Sequence, residues 1–451
     1  MEKTFFIETY GCQMNVAESN GLDSLLIEDG WKRTAEAKDA LAVILNTCSV
    51  RQTAENRIWG RLGYFRHIKD EKQQILVLAG CMAERIPEEL TKKAKHIDFI
   101  VGTNNKAKIV SLLDEKYKIL NEKKSKKKSK PEIVTGFQPL LDKQGDYPFI
   151  QTYYKLNDYS SYVPIMNGCN NFCTYCIVPY VRGREVSRDA KEIAKEIQFL
   201  DSQGVKEICL LGQNVNSYKF ENLNFADLLH LVCKDLKNIE FVRFESPHPK
   251  DFSDEVIEAI ATERKIARHL HIPMQSGSTK ILNSMNRRYT SEQYITLIDK
   301  IKKRIPECTF STDVMVGFPG ESQEDFQKTL DIMENAGFLE AFMYYWNPRE
   351  GTKAVDFPNK VSQKVKLKRL EILIDKQLER TIKIKNGRLG GVQKVLVTQV
   401  SRDNPGQMLG KNEHGEMIVF NSKKILEIGS MIDVKFICLK GNTFVGELLN
   451  E

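Results

Sequence analysis

No stretch of roughly eighteen apolar residues runs anywhere along the 451-residue chain, so no helical membrane span is expected. The N-terminus, MEKTFFIETYGC, carries an acid and lacks a long apolar core. It does not read as a secretory signal, and a cytoplasmic protein is the expectation. Ten cysteines in a reducing compartment then point to metal or redox chemistry, not to a disulfide framework. One more absence is local. Residues 167–188 read NGCNNFCTYCIVPYVRGREVSR, with Cys169, Cys173 and Cys176 close together and no fourth cysteine beside them.

What is present looks like an ordinary globular protein, with 41% hydrophobic and 28% charged residues. The length favours two or three domains over one core. The net charge of +7 comes almost entirely from KKSKKKSK at 123–130, since removing those lysines leaves the chain near neutrality. A block of like charge is read first as a solvated linker and second as an electrostatic aid to RNA binding. Residues 360–388 carry ten Lys/Arg against three acids. There Leu367, Leu370, Ile374 and Leu378 recur at helical spacing, which predicts an amphipathic helix buried on that stripe with a basic outer face.

Strand and helix patterns divide the chain into blocks. Residues 1–115 alternate strand-like runs (KTFFIETYG, LAVILNT, QILVLAG) with helical patterns around 16–29 and 53–68, the signature of a parallel-sheet α/β domain. Cys12, Cys48 and Cys81 each follow one of these strands. Strand ends of a parallel sheet share one edge, where ligands collect. Residues 116–155 read as a connection. Residues 156–386 hold six strand-plus-helix units, which fit a partial (β/α)6 barrel with its reactive groups in the loops after the strands. Gln213, Asn214, Ser246, His248, Gln275, Ser276, Asp313 and Asn347 fall at such places. Residues 387–451 suggest a small all-β barrel, able to grip RNA or merely to pack.

Zinc is the bland reading of this trio, but a tetrahedral site wants a fourth Cys or His, and the nearest downstream candidate, His248, is over seventy residues away. Three thiolates can cap a [4Fe–4S] cube and leave one iron open to a small molecule. The spacing in CNNFCTYC allows one loop to wrap one cluster. This stretch resembles the CxxxCxxC signature of radical S-adenosylmethionine enzymes, with Tyr175 just before the last cysteine. Apart from the lysine linker, nearly the whole chain resembles the methylthiotransferase family of these enzymes. That family has an N-terminal three-cysteine domain, a radical barrel and a C-terminal RNA-binding barrel of the TRAM type. TYGCQMN, NTCSVR, GCMAER, GCNNFCTYCIVPYVRGRE and LLGQNVNSY resemble the branch that acts on isopentenylated adenosine in tRNA. The sister branches usually read LGCK or LGCPKN at the first cysteine.

The resemblance implies a reaction. Carbon 2 of N6-isopentenyladenosine at tRNA position 37, beside the anticodon, would gain a methylthio group. That carbon–hydrogen bond is not acidic, so general acid–base groups cannot break it, whereas a cofactor-derived radical can. Two [4Fe–4S] clusters are implied. One sits on Cys169, Cys173 and Cys176 and binds S-adenosylmethionine; the other sits on Cys12, Cys48 and Cys81 and supplies sulfur. Both must face one base, so the sheet edge of the first block must lie over the mouth of the barrel. Tyr175, Gln213, Asn214, Ser246, Gln275 and Asp313 are the candidate cofactor contacts. An external electron donor such as flavodoxin or ferredoxin and a monomeric enzyme are further implications. His269 and His271 read as structural histidines, and Cys209, Cys233, Cys308 and Cys438 as core thiols. Two departures leave a substrate-facing loop open: Glu245 stands where the family more often has threonine, and YWNPREGTKA loosens a family motif. The alternatives are methylthiolation of threonylcarbamoyladenosine or of a ribosomal protein side chain, and an iron–sulfur RNA-binding protein without turnover.

Overall fold

The computed structural model describes residues 1–49, 52–71, 73–122, 130–136, 147–151, 158–402, 404, 406–422 and 424–449. The first block is a six-stranded parallel sheet. Its strands are β1 (Thr4–Tyr10), β2 (Lys32–Arg33), β3 (Ala42–Thr47), β4 (Ile75–Gly80), β5 (Phe99–Val101) and β6 (Glu132–Val134), in the order β2-β1-β3-β4-β5-β6. Every residue of β3 and β4 is buried, which is why both read as continuous apolar runs. Helices α1 (Gln13–Glu28), α2 (Gln52–Glu71), α3 (Cys81–Arg85), α4 (Pro87–Lys93) and α5 (Ile109–Asn121) connect them. The sheet does not stop at 115, where the sequence reading placed a connection. Helix α5 continues to Asn121, and β6 pairs with β5 from Phe99↔Glu132 to Val101↔Val134. Strand β6 is only EIV, too short a run to stand out beforehand. Most of the lysine run, residues 123–129, lies outside the described residues, as do 152–157, the end of the expected connection and the first two residues of the second block.

The second block is an open barrel of six parallel strands: β7 (Ser160–Pro164), β8 (Glu207–Leu211), β9 (Phe241–Phe244), β10 (His269–His271), β11 (Thr309–Val316) and β12 (Glu340–Tyr345). They form two three-stranded sheets joined by the parallel bridge Val242↔Ile266. Around the outside run α7 (Ala190–Ser202), α8 (Phe225–Cys233), α9 (Asp254–Thr262), α10 (Thr279–Ser284), α11 (Ser291–Arg304), α12 (Gln323–Ala336) and α13 (Gln363–Asn386), while α6 (Val178–Arg182) lies in the loop after β7, against the first block. Capping boxes start three of them: Asn224 with Asp227, Thr290 with Gln293, and Ser322 with Asp325. Side chains alternate along the strands. Ile208, Leu210, Val242, Phe244, Leu270, Phe310, Val314 and Val316 enter the core under the helices, so the residues between them face the lumen.

Helix α13 exists as expected, but its buried face is the reverse of the expected one. Leu367, Ile374 and Leu378 are 49%, 43% and 47% exposed, while Lys366, Arg369, Leu373, Gln377, Arg380, Thr381 and Lys385 are buried. The helix crosses loop ends whose carbonyl groups need donors. Lys366 Nζ donates to Trp346 O at 2.9 Å, Gln377 Nε2 to Phe338 O at 2.9 Å, and Thr381 Oγ1 to Leu339 O at 2.9 Å. Satisfying buried backbone acceptors outranks burying three aliphatic chains.

The third block is a closed five-stranded barrel of β13 (Val392–Val400), β14 (Gln407–Asn412), β15 (Met417–Asn421), β16 (Met431–Lys440) and β17 (Thr443–Leu448). Strand β14 was not legible, since QMLGKN has neither alternation nor β-branched residues. Phe420, Phe436 and Phe444 are all buried in its core. The turn after β14 docks under the open barrel: Arg243 donates to Glu413 O at 2.7 Å and Asn412 O at 2.9 Å, and Lys411 Nζ to Glu207 Oε1 at 3.0 Å. Cys438, expected in this core, is exposed; Cys209, Cys233 and Cys308 are buried.

Candidate active site

Strands β1, β3 and β4 are immediate neighbours, and their ends are level. Tyr10 pairs with Thr47, and Thr47 with Gly80. Cys48 and Cys81 directly follow β3 and β4, and Cys12 is the residue before α1, so the three thiols lie along one sheet edge. Gly11 lets the first loop approach: a Cβ there would lie 2.8 Å from Cys48 Cβ and 2.5 Å from Asn15 Oδ1. The Cys12 thiol donates to Asn15 Oδ1 at 3.3 Å. Asn15 Nδ2 donates in turn to Asn46 Oδ1 and Thr47 O, both at 3.1 Å. A hydrogen bond with Cys48, reinforced by the charge of Arg182, pulls the Cys12 thiol down to about 5, whereas burial pushes Cys81 up.

A buried charge cluster backs this trio. Glu18 accepts from Lys106 and from both terminal nitrogens of Arg182, at 2.8 and 3.2 Å for the latter. Lys106 also donates to Asn46 Oδ1 at 2.9 Å. All three side chains are less than a tenth exposed. Two cations therefore share one carboxylate beside three thiols.

In the barrel, the three-cysteine loop is pinched at its base by an antiparallel pair, Met166–Asn167 with Val186–Ser187. Inside it, Cys169 N donates to Gly183 O at 3.1 Å, and Gln213 Oε1 accepts from Gly168 N at 2.6 Å. Gly168 has φ +82°, and a Cβ on it would lie 1.9 Å from Arg184 O, so no other residue fits. Burial raises the Cys169 thiol to about 11 and the Cys176 thiol to about 12. Arg287, buried, points Nη1 at Cys173 Sγ from 3.6 Å, with its other nitrogens on Tyr289 Oη and Pro273 O.

The two trios meet at one domain junction. Cys81 shares a small buried cluster with Ile177 and Val181, and Ile177 is the residue after Cys176. Thr103 Oγ1 donates to Val181 O at 2.6 Å. On the other flank, Arg349 Nη2 donates to Glu55 Oε1 at 3.0 Å; Glu55 also takes Arg85 and the hydroxyl of Ser49, the neighbour of Cys48. Among the described residues, no group of three or more His, Cys, Asp or Glu stands close enough to hold a single metal ion.

Residues 163–333 match the Radical SAM superfamily, and residues 4–102 match Uncharacterized protein family UPF0004. A tRNA-2-methylthio-N(6)-dimethylallyladenosine synthase from Treponema pallidum is 43% identical over 99% of this chain and 99% of its own length. One from Treponema denticola is 44% identical over 99% of this chain and 100% of its own, and one from Clostridium botulinum 40% over 98% and 95%. The chain belongs to the tRNA-2-methylthio-N(6)-dimethylallyladenosine synthase family. Among solved structures, the radical S-adenosylmethionine methyltransferase TsrM from Kitasatospora setae has a TM-score of 0.58 at 13% identity, covering 79% of this chain and 77% of that one. That is a likeness of fold.

Radical SAM membership brings S-adenosylmethionine and a [4Fe–4S] cluster to this synthase-family chain. The residues present fit both. At the strand ends above the lumen, Asn214 Oδ1 and His248 Nε2 are buried without a partner, an acceptor and a ring nitrogen awaiting a polar ligand. Ser246 and Gln275 hold left-handed φ of +62° and +66° at the ends of β9 and β10, strain of the kind that gathers at ligand sites. Gln213, by contrast, is committed to bracing the cysteine loop. Tyr175 lies on an apolar cluster with Met285, Phe318 and Trp346. Asp313 sits below the strand end, facing the lumen, with His271 Nε2 3.2 Å from its Oδ2. His269 and His271 are both satisfied by hydrogen bonds. For the N-terminal trio, the buried cation surplus of Lys106 and Arg182 over Glu18 suits a cube capped by three thiolates, which carries net negative charge. Sequence reasoning missed Arg182, Glu18, Lys106 and Arg287. Arg182 lies in the quoted VRGRE, but only the fold shows that it reaches another domain.

Proposed function

We propose that this protein adds a methylthio group to carbon 2 of N6-isopentenyladenosine at tRNA position 37. In this reading Cys169, Cys173 and Cys176 hold one [4Fe–4S] cluster, and Cys12, Cys48 and Cys81 hold a second. When bound, the first cluster with S-adenosylmethionine supplies a radical able to take an unactivated ring hydrogen, and the second supplies the sulfur. The chain's own residues do the rest. Gly168, Gln213 and the Met166–Ser187 ladder shape the open loop; Asn214 and His248 offer polar contacts to the cosubstrate; Arg287 sets a positive charge against Cys173. Residues 1–134 would serve as the sulfur-supplying domain, 158–386 as the radical barrel and 387–449 as an RNA-holding barrel. An external electron donor such as flavodoxin or ferredoxin, a monomeric state and a cytoplasmic location complete the proposal.

The observation that supports it is the buried cluster of Cys81 with Ile177 and Val181, which joins the segment holding one thiol to the segment that follows Cys176. The test uses anaerobically reconstituted protein, S-adenosylmethionine, a reductant and an isopentenylated anticodon stem-loop, with nucleosides read by mass spectrometry. Wild type is expected to give the methylthio nucleoside and 5′-deoxyadenosine, Cys12→Ala only 5′-deoxyadenosine, and Cys173→Ala neither. Methylthio product from Cys12→Ala would refute the assignment of that trio.

A further inference from the structure

The stretch YWNPREGTKA, residues 345–354, carries the chain out of β12 and touches both thiol-bearing segments. Its two ends are fixed to the barrel. Trp346 N donates to Val316 O at 2.8 Å, and Ala354 N to Thr174 O, inside the three-cysteine loop, at 2.8 Å. Trp346 and Ala354 also share the buried cluster on which Tyr175 lies. Between these anchors the chain turns at Arg349, whose carbonyl accepts from Thr352 N at 3.1 Å and from Thr352 Oγ1 at 2.7 Å. Gly351, with φ +85°, passes close to the segment after Cys176: a Cβ there would lie 3.3 Å from Ile177 Cδ1. From this turn the Arg349 side chain leaves the barrel and enters the first block.

There it meets Glu55, whose Oε1 accepts from Arg349 Nη2 at 3.0 Å, Arg85 Nη2 at 2.9 Å and Ser49 Oγ at 2.6 Å. Arg85 Nε also donates to Ser49 Oγ at 3.0 Å. Ser49 follows Cys48, and Arg85 ends α3, the helix that Cys81 begins. All three charged side chains are largely buried. Two cations therefore converge on one carboxylate beside the turn that bears Cys48, and one of them comes from 294 residues away. Burial lowers the pKa of Arg349, while Glu55 and the Cys48 sulfur oppose the fall, so Arg349 and Cys48 stand within electrostatic reach. Arg85 alone balances Glu55. Arg349 adds a positive charge, and a buried surplus costs free energy unless an anion stands by. The thiolates gathered at this sheet edge are such anions.

We propose that Arg349 is a positioning residue of the N-terminal trio: from the barrel it locks the Cys48 turn to the three-cysteine loop, and its charge biases the cluster on Cys12, Cys48 and Cys81 toward the reduced form. The proposal rests on the reading above that this trio carries a cluster. One-electron reduction adds negative charge to the cube, and a buried cation nearby favours the more negative state. The Glu55 carboxylate acts in the opposite sense.

The test reads each cluster alone in the full-length chain, reconstituted anaerobically. Cys173→Ala leaves the N-terminal cluster, and Cys48→Ala leaves the barrel cluster. Each parent is poised at its own midpoint potential, and electron paramagnetic resonance gives the ratio of reduced to oxidised cluster in it and in its variants. In the Cys173→Ala chain, Arg349→Met is expected to lower that ratio about tenfold, Arg349→Lys to lower it by about threefold or less, and Glu55→Gln to raise it. In the Cys48→Ala chain, Arg349→Met is expected to change it by less than about twofold. Opposite signs for Arg349→Met and Glu55→Gln are what a charge effect requires, since loosening of the junction moves both the same way. Where Arg349→Met loses its iron, the signs for Arg349→Lys and Glu55→Gln decide. A ratio for Arg349→Met within about twofold of its parent, a shift of the same sign in Glu55→Gln, or an equal shift in the barrel cluster overturns the proposal. Iron analysis judges the underlying reading separately. About four irons in Cys173→Ala with unmoved ratios removes this inference alone; no iron in that chain removes both.

Discussion

The guanidinium of Arg182, six residues beyond the last cysteine of the barrel loop, grips the Glu18 carboxylate of the first helix with contacts of 2.8 and 3.2 Å. One ion pair thus joins the domains holding the two thiol trios, in a place where neither charge meets water. Removing one partner of such a pair leaves uncompensated charge. Glu18→Ala is expected to cost about 3 to 5 kcal/mol in denaturant unfolding of anaerobically purified protein. A loss below about 1 kcal/mol would mean that the domains are held by other contacts.

The same pair has a pH signature. Burial alone would raise the Glu18 carboxyl, but Arg182 and Lys106 outweigh it and hold it at about 2, below the ordinary 4.5. The folded value is the lower one, so the contribution is complete above about 4.5 and is lost as pH falls toward 2. Stability in wild type should fall through that window more steeply than in Glu18→Gln. Parallel curves for the two proteins would refute the assignment.

Two glycines should separate the clusters without touching a ligand. Gly168→Ala puts a Cβ into Arg184 O, and Gly11→Ala puts one into Asn15 and Cys48. Each is expected to leave roughly four irons per chain where wild type carries roughly eight. Combined with Cys48→Ala, Gly11→Ala should add no further loss, whereas Gly168→Ala should remove the rest. Iron analysis with electron paramagnetic resonance decides between these patterns.

Arg287 lies 3.6 Å from Cys173 Sγ and is buried. Positive charge near a thiolate favours the reduced cluster. Arg287→Met is therefore expected to shift the midpoint potential of that cluster to more negative values, with Arg287→Lys recovering part of the change. An unchanged potential in a redox titration of Arg287→Met would limit this side chain to its bonds with Pro273 and Tyr289.

For α13, the inverted face makes a stability prediction that the sequence pattern would get backwards. Leu373→Ala, fully buried, should cost about 2 to 5 kcal/mol, while Leu367→Gln and Ile374→Gln should stay within about 0.5 kcal/mol. Thermal denaturation of the three variants checks the order.

Much of the architecture was legible because its signals are local. The runs AVILNT and ILVLAG are buried on both faces, so their composition alone marks parallel strands. The six barrel strands alternate strongly enough to be placed within a few residues. Cys169, Cys173 and Cys176 share eight residues, so their cooperation needs no tertiary contact to be inferred. Strands β5, β6 and β14 escaped because they are short or unpatterned, and α13 was turned the wrong way because its environment is a row of carbonyl groups that no periodicity records.

By itself, the order of residues determined the longer elements and the sheet edge on which Cys12, Cys48 and Cys81 gather, since each depends on neighbours along the chain. The folded arrangement alone decided that Cys81 joins Ile177 and Val181 in one buried cluster, that Arg182 answers Glu18, and that Arg349 reaches Glu55. Those meetings join residues tens to more than a hundred positions apart, and they arise from the packing of one domain on another, which leaves no periodic trace in the sequence.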